Sequence, residues 1–207
     1  MRARLCKADQ GPTRRDATRI LSHLISTTLS GTCGSTHTLQ ARPLKRPGDA
    51  INKVVDKYGE PISFYRDVAG ILHGLRGRSL PGEGNNVDGK VVVAVCSRTH
   101  APDLARQCLR LLLVPPKEDG TMNSQPRPAV EYFDEFEIYP SSKLKHFRAL
   151  HDRTGIPYTE MLFFDDEHRN SEVEKLGVTF VHVPQGLTHK AYEDGLKEWR
   201  RRRANDQ

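Results

Sequence analysis

Six consecutive residues, Val91-Val92-Val93-Ala94-Val95-Cys96, are apolar and mostly β-branched. A strand with one wet face alternates apolar and polar side chains, whereas an unbroken apolar run marks a strand covered on both faces. Such strands belong to parallel sheets, and parallel neighbours need crossover connections, usually helices. The flanking pattern provides them. Val68, Ile71, Leu72 and Leu75 recur at helical spacing within Tyr65 to Arg76, and a second helix is expected from Pro102 to Leu113. Phe136 to Tyr139 reads as a short strand, and Pro140-Ser141-Ser142 opens a helix carrying Leu144, Phe147 and Leu150. Met161 to Phe164 and Thr179 to Val183 are further strands, with helices expected at Arg169 to Leu176 and Lys190 to Arg203. Strands alternating with helices specify an α/β domain with a mainly parallel sheet, whose ligands lie at the carboxyl ends of the strands.

The remaining stretches read differently. Residues 1 to 35 are rich in Arg, Ser and Thr and poor in acid, a basic N-terminal segment expected to be poorly ordered or atypical, with some likeness to an organelle transit peptide. Residues 36 to 61 hold Pro43, Pro47, Gly48, Gly59 and Pro61 and read as an excursion outside the core. Arg78 to Lys90 and Pro115 to Pro128 read as polar loops, and residues 196 to 207 as a basic tail.

The chain of 207 residues has 36% hydrophobic content, enough for one domain with a core. No apolar run approaches the roughly 20 residues that span a bilayer, so no membrane association is expected. The net charge of +6 is concentrated at the two ends and reads as solvated charge, not as the aromatic-interleaved basic surface of a nucleic-acid site, so nucleic acid is not an expected partner. Cys6, Cys33, Cys96 and Cys108 show neither C-x-x-C spacing nor a His partner at zinc-site distance, which points to a reducing compartment and a cytoplasmic location, with a mitochondrial one as the alternative. Neither Cys96 nor Cys108 has the Arg six residues on that a cysteine phosphatase loop needs; Pro102 and Val114 stand there.

The chemistry gathers where strands end. Met161-Leu162-Phe163-Phe164 runs into Asp165-Asp166, and paired carboxylates at the end of a buried strand are costly unless a cation lies beyond them. Mg²⁺ takes oxygen ligands and usually shares them with substrate phosphate. The alternative reading is an Asp that caps the next helix. Ser97 and Arg98 leave a second strand, and Lys143 stands in the first turn after a third. A hydroxyl, a guanidinium fork and an ammonium suit phosphate oxygens. Taken singly, Ser97 also reads as a helix cap and Lys143 as a surface lysine.

Three motifs occur in order: Ser97-Arg98-Thr99 after a buried strand, Glu137-Ile138-Tyr139-Pro140-Ser141-Ser142-Lys143 with His146-Phe147, and Phe163-Phe164-Asp165-Asp166-Glu167-His168-Arg169-Asn170. Together they resemble the magnesium-dependent phosphatase 1 family, a branch of the haloacid dehalogenase superfamily, over residues 36 to 195. The resemblance implies a three-layer α/β fold with a small cap or none. It also implies hydrolysis of phosphomonoesters, with phosphotyrosine or small phosphorylated molecules as substrates. By the same resemblance Ser97, Arg98 and Lys143 would bind the phosphoryl group, and Asp166 with Asp165 beside it would hold Mg²⁺.

The family's nucleophile and its acid/base are the two aspartates of an Asp-x-Asp-x-Thr motif on a central first strand, and this chain contains no Asp-x-Asp. Counting back from Thr36-His37 places Leu24 and Ser26 at those positions. Leucine offers no nucleophile or metal ligand, and the serine lies at the acid/base position without an identifiable basic partner. Asp88 and Asp134 both precede their strands, at the opposite edge of the sheet. Arg19 to Ser26 could supply the central strand, although its pattern also fits a helix. The chain therefore reads as a phosphatase-type domain with little or no turnover, or as a non-catalytic phosphate-ligand or phosphoprotein-binding module. A pseudoenzyme, a faulty join at the N-terminus and an interaction protein on a decayed scaffold all fit that pattern.

Overall fold

The computed structural model describes residues 44–76, 91–117 and 125–205, together with the strand backbones of β1 (Arg19–His23) and β2 (Leu29–Ser30). Its main sheet has five strands in the order β10-β9-β1-β5-β8, every neighbouring pair parallel. Here β5 is Val91–Ser97, β8 Glu135–Ile138, β9 Met161–Asp165 and β10 Thr179–His182, while β6 (Leu113–Val114) and β7 (Arg127–Pro128) form a separate antiparallel pair. The uninterrupted apolar runs of β5 and β9 fit this arrangement, because their alternate residues enter two different cores. Val93, Val95, Leu162 and Phe164 face one apolar cluster, whereas Ala94, Cys96, Met161 and Phe163 face the other.

The first cluster is closed by α1 (Val68–Arg76), α2 (Pro102–Leu111) and α4 (His189–Asn205). The second is closed by α3 (Lys143–Thr154), through Phe147 and Leu150, and by the 3-10 stretch His168–Leu176, through Val173. That stretch is not the α-helix expected over Arg169 to Leu176. Ser142 caps α3 by accepting a hydrogen bond from the Lys145 amide, so the residue before Lys143 ends the loop and Lys143 begins the helix. The stretch expected as a basic tail is helical to Asn205 and buries Leu196 and Trp199 against the first cluster.

The strand expectation for Arg19 to Ser26 is met over Arg19–His23, and the helix alternative falls there. Arg19 to Ser22 pair with Val91 to Ala94, and Ile20 to His23 with Met161 to Phe164. A chain segment between β5 and β9 must satisfy open backbone donors and acceptors on both sides, and only an extended segment does so. Leu24, Ser26 and Asp88 lie outside the described residues.

Residues expected as an excursion outside the core are partly in it. β3 (Val54–Val55) and β4 (Pro61–Phe64) pair with each other antiparallel, β4 also pairs with β2, and Leu44, Val54, Ile62 and Phe64 are buried in the first cluster. Asn52 fixes this unit from a left-handed backbone conformation at φ 54°. Its side chain accepts from the Phe64 amide at 2.8 Å and donates to the Phe64 carbonyl at 3.2 Å. β3 has two residues and β4 four, runs too short to stand out against the Pro and Gly content of the segment.

Candidate active site

The parallel register brings the carboxyl ends of β5, β9 and β1 to one edge of the sheet. There β5 ends in Ser97, β9 ends in Asp165, and α3 begins at Lys143 just beyond β8. Lys143 is not a surface lysine: its side chain and that of Asp165 are each 1% exposed, and Nζ lies 3.3 Å from Asp165 Oδ2. The ammonium also donates to the Cys96 carbonyl and sits 5.1 Å from the Phe163 ring centroid. A buried charge pair survives only when further hydrogen bonds complete it, and these contacts do so on the lysine side. On the aspartate side, Oδ1 accepts from the Glu167 amide and from Asn170 Nδ2, both at 2.8 Å. Asp165 thus combines the local turn-forming role with a charge role. The Lys143 amide is itself held by Glu172 Oε1 at 3.0 Å.

Arg98 follows Ser97 and donates from Nη1 to Asn170 Oδ1 at 3.1 Å. Ser97 Oγ does not cap α2. It accepts from the Thr99 amide at 3.4 Å, Thr99 Oγ1 accepts from Ala101, and the helix starts without a side-chain cap. The predicted residues Arg98, Lys143 and Asp165 are therefore joined through Asn170 and a direct ion pair, and Ser97 precedes Arg98 at the end of β5. Asn170 and Glu172, which join them, were not singled out from the sequence as site residues. Their signal was present only as polar residues buried in a stretch that follows a strand-end carboxylate. Asp134, rejected from sequence, is indeed elsewhere: it accepts from the Val93 amide at 2.9 Å and pairs with Arg76 at 3.0 Å.

The electrostatics of this edge are uneven. Burial, reinforced by the neighbouring Asp165 carboxylate, pushes the Asp166 carboxyl up to about 6. Its Oδ1 atom is buried without a hydrogen-bond partner among the described residues. An orphaned carboxylate oxygen is a donor that a hard cation can use, so Asp166 fits a Mg²⁺ ligand. Asp165 is already engaged by Lys143 and Asn170. Among the described residues no group of three His, Cys, Asp or Glu side chains is placed to hold a metal. Behind Lys143, His146 is fully buried and its Nε2 donates to the Tyr139 carbonyl at 3.1 Å. Burial, followed by the Lys143 ammonium, lowers it to about 4 and keeps the ring neutral. Burial also pushes the Cys96 thiol up to about 12, which removes it as a nucleophile.

An ammonium, a guanidinium with most of its five donors free of Asn170, and a hydroxyl at one edge of the sheet are groups suited to a dianionic phosphoryl group. Comparison with known proteins agrees with that chemistry. The profile of the Acid Phosphatase family matches residues 32–202. A HAD-like hydrolase superfamily protein of Schizosaccharomyces pombe is 44% identical over 139 residues, which cover 67% of this chain and 71% of that protein. Magnesium-dependent phosphatase 1 of Homo sapiens is 34% identical over 145 residues, or 70% of this chain and 68% of the relative.

Proposed function

The chain belongs to the Acid Phosphatase family of HAD-like hydrolases, and on that premise we propose that its strand-end crevice binds the phosphoryl group of a phosphorylated small molecule or phosphoprotein, phosphotyrosine included, together with Mg²⁺, but turns it over little or not at all. The observation that carries this reading is the buried Lys143–Asp165 pair at 3.3 Å, set beside Arg98 at the carboxyl edge of a parallel sheet. A buried ammonium held this rigidly is preorganised for a dianion. Ser97 and Arg98 would grip the phosphoryl oxygens from one side and Lys143 from the other. Asp166, with Asp165 beside it, would hold Mg²⁺, which when bound supplies charge screening between phosphate and carboxylates. The apolar clusters on both faces of the sheet support the three-layer haloacid dehalogenase-like arrangement, with the short β2-β4-β3 unit as at most a small cap.

The impairment follows from the residues the chain lacks. Hydrolysis through an aspartyl-phosphate needs one carboxylate to attack phosphorus and another to protonate the leaving group and then activate water. With Leu24 and Ser26 at those positions and no Asp-x-Asp in the chain, neither group is available. What remains is binding, which makes a phosphate-ligand or phosphoprotein module the second reading. Free, buried Cys96 and Cys108 are compatible with a reducing, cytoplasmic setting.

The test is an assay of the purified chain with an aryl phosphate, with and without Mg²⁺, in parallel with calorimetric titration of inorganic phosphate. Phosphate binding that disappears in Lys143→Ala, with no turnover, is the expected result. Mg²⁺-dependent turnover abolished by Asp166→Asn would overturn the impairment. Absence of phosphate binding would overturn the site.

A further inference from the structure

Asn170 is 1% exposed and lies in the 3-10 stretch that follows β9, yet it touches two other parts of the site. Its Nδ2 donates to Asp165 Oδ1 at 2.8 Å and its Oδ1 accepts from Arg98 Nη1 at 3.1 Å. Neither neighbour leaves a choice about which way the amide faces. An ionised carboxylate only accepts and a guanidinium only donates, so oxygen must face Arg98 and nitrogen must face Asp165. We propose that Asn170 is the positioning residue of the phosphate crevice: it fixes the Arg98 guanidinium relative to the Lys143–Asp165 pair, and phosphate affinity depends on that link. The inference rests on the phosphate-site reading above.

The chemistry of this position is narrow. A neutral side chain is required, because a carboxylate here would stand against Asp165. It must donate at one end and accept at the other across the distance between two strands, β5 and β9. Alanine removes both bonds, and serine is too short to span them together. Without the amide, Arg98 is left to sample the rotamers of a long side chain, and ordering it again on each binding event costs affinity. Lys143 needs no such help, being held by Cys96 and Asp165 directly. Arg98 has one side-chain tether to the scaffold among the described contacts, and Asn170 makes it.

The test is a double-mutant cycle on the full chain, read by ³¹P NMR line broadening of inorganic phosphate, which registers weak binding, and in parallel by thermal unfolding. Asn170→Ala is expected to weaken phosphate about tenfold, the value of one hydrogen bond to a charged group. In an Arg98→Ala background, where Ser97 and Lys143 remain, adding Asn170→Ala is expected to change phosphate affinity by less than about twofold. The loss of thermal stability caused by Asn170→Ala should persist in both backgrounds. A merely structural asparagine would instead weaken phosphate equally in both, and that result, or no weakening in either, overturns the proposal. If Asn170→Ala does not fold, Asn170→Ser enters the same cycle with the same expectations. A parent chain that leaves the phosphate line unchanged overturns the phosphate-site reading itself, and that outcome is visible before any variant is made.

Discussion

The Lys143–Asp165 pair lies where a mistake is most costly, since each side chain is 1% exposed. Removing one member leaves the other buried and uncompensated, whereas removing both leaves little net charge to accommodate. Lys143→Met is therefore expected to lower unfolding free energy by about 3 kcal/mol, and Lys143→Met with Asp165→Asn to recover most of that loss, as read from urea midpoints at constant slope. His146 makes a second, pH-dependent contribution. Its ordinary value is 6.5, and burial, followed by the Lys143 charge, holds it at about 4 in the folded chain. As pH falls below 6.5 the unfolded chain takes up the proton first, so stability is lost from 6.5 down to about 4 and the loss levels off below that. The full effect is on the order of 3 kcal/mol. His146→Gln should flatten that part of the pH profile relative to the parent, in denaturant titrations run at half-unit intervals. A slope unchanged by the substitution would show that other groups carry it. Lys143 and Asp165 could be picked out from sequence because charged residues at strand ends are conspicuous. Asn170 could not, because an amide in a polar run looks like surface until both its partners are in place.

Glycine substitutions separate two opposed effects at the scale of single helices. Gly74 lies inside α1 with no heavy atom within 4 Å of an added Cβ, so Gly74→Ala restricts the unfolded chain at no steric cost. A gain of about 0.5–1 kcal/mol is expected. Gly195 lies inside α4, where the same propensity gain applies, but a Cβ there would stand 2.6 Å and 2.8 Å from Phe164 ring atoms and 3.1 Å from Val181. Overpacking of that kind costs about 1–3 kcal/mol, and it should win, so Gly195→Ala is expected to destabilise. Guanidinium melts of the two variants should move in opposite directions. If both stabilise, α4 has more freedom to shift on the sheet than its packing implies. The helices α1 and α3 were legible from sequence because apolar residues recur along them at helical spacing, whereas α4 was read only as a basic helix whose end was expected as a tail. Arg169 to Leu176 was read as a helix, but Asn170 and Glu172 bond outward to the site, and the stretch His168–Leu176 winds as 3-10. The paired strands β3 and β4 were missed because tertiary burial of Val54 and Ile62, not local pattern, defines them.

For the whole molecule the decisive element is β1. Its sequence fits helix and strand about equally, and only the vacant position between two strands that were legible, β5 and β9, resolves the ambiguity. That position also bears on whether the proposed impairment is one of chemistry or of fold. The backbone of Arg19–His23 lies in parallel register with both neighbours, so the central strand of the domain is present although its sequence lacks acidic residues. On the phosphate and Mg²⁺ site proposed for the ends of β5 and β9 and the start of α3, what is missing is two carboxylates from the segment after β1. Restoring them at the positions matched from Thr36-His37, by Leu24→Asp together with Ser26→Asp, is expected to give Mg²⁺-dependent hydrolysis of an aryl phosphate. The gain should be at least about a hundredfold over the parent chain, since a positioned acid/base alone contributes 10²–10⁴. Lys143→Ala or Asp166→Asn should abolish the gained activity, the first by removing the charge that receives the dianion and the second by removing the orphaned metal donor. Ser26→Asp alone should give nothing, because an acid/base has no reaction to assist without a nucleophile. Should the double substitution still bind phosphate and remain inert, the segment after His23 does not deliver these side chains to the crevice, and the defect lies in backbone placement and not in the identity of two residues.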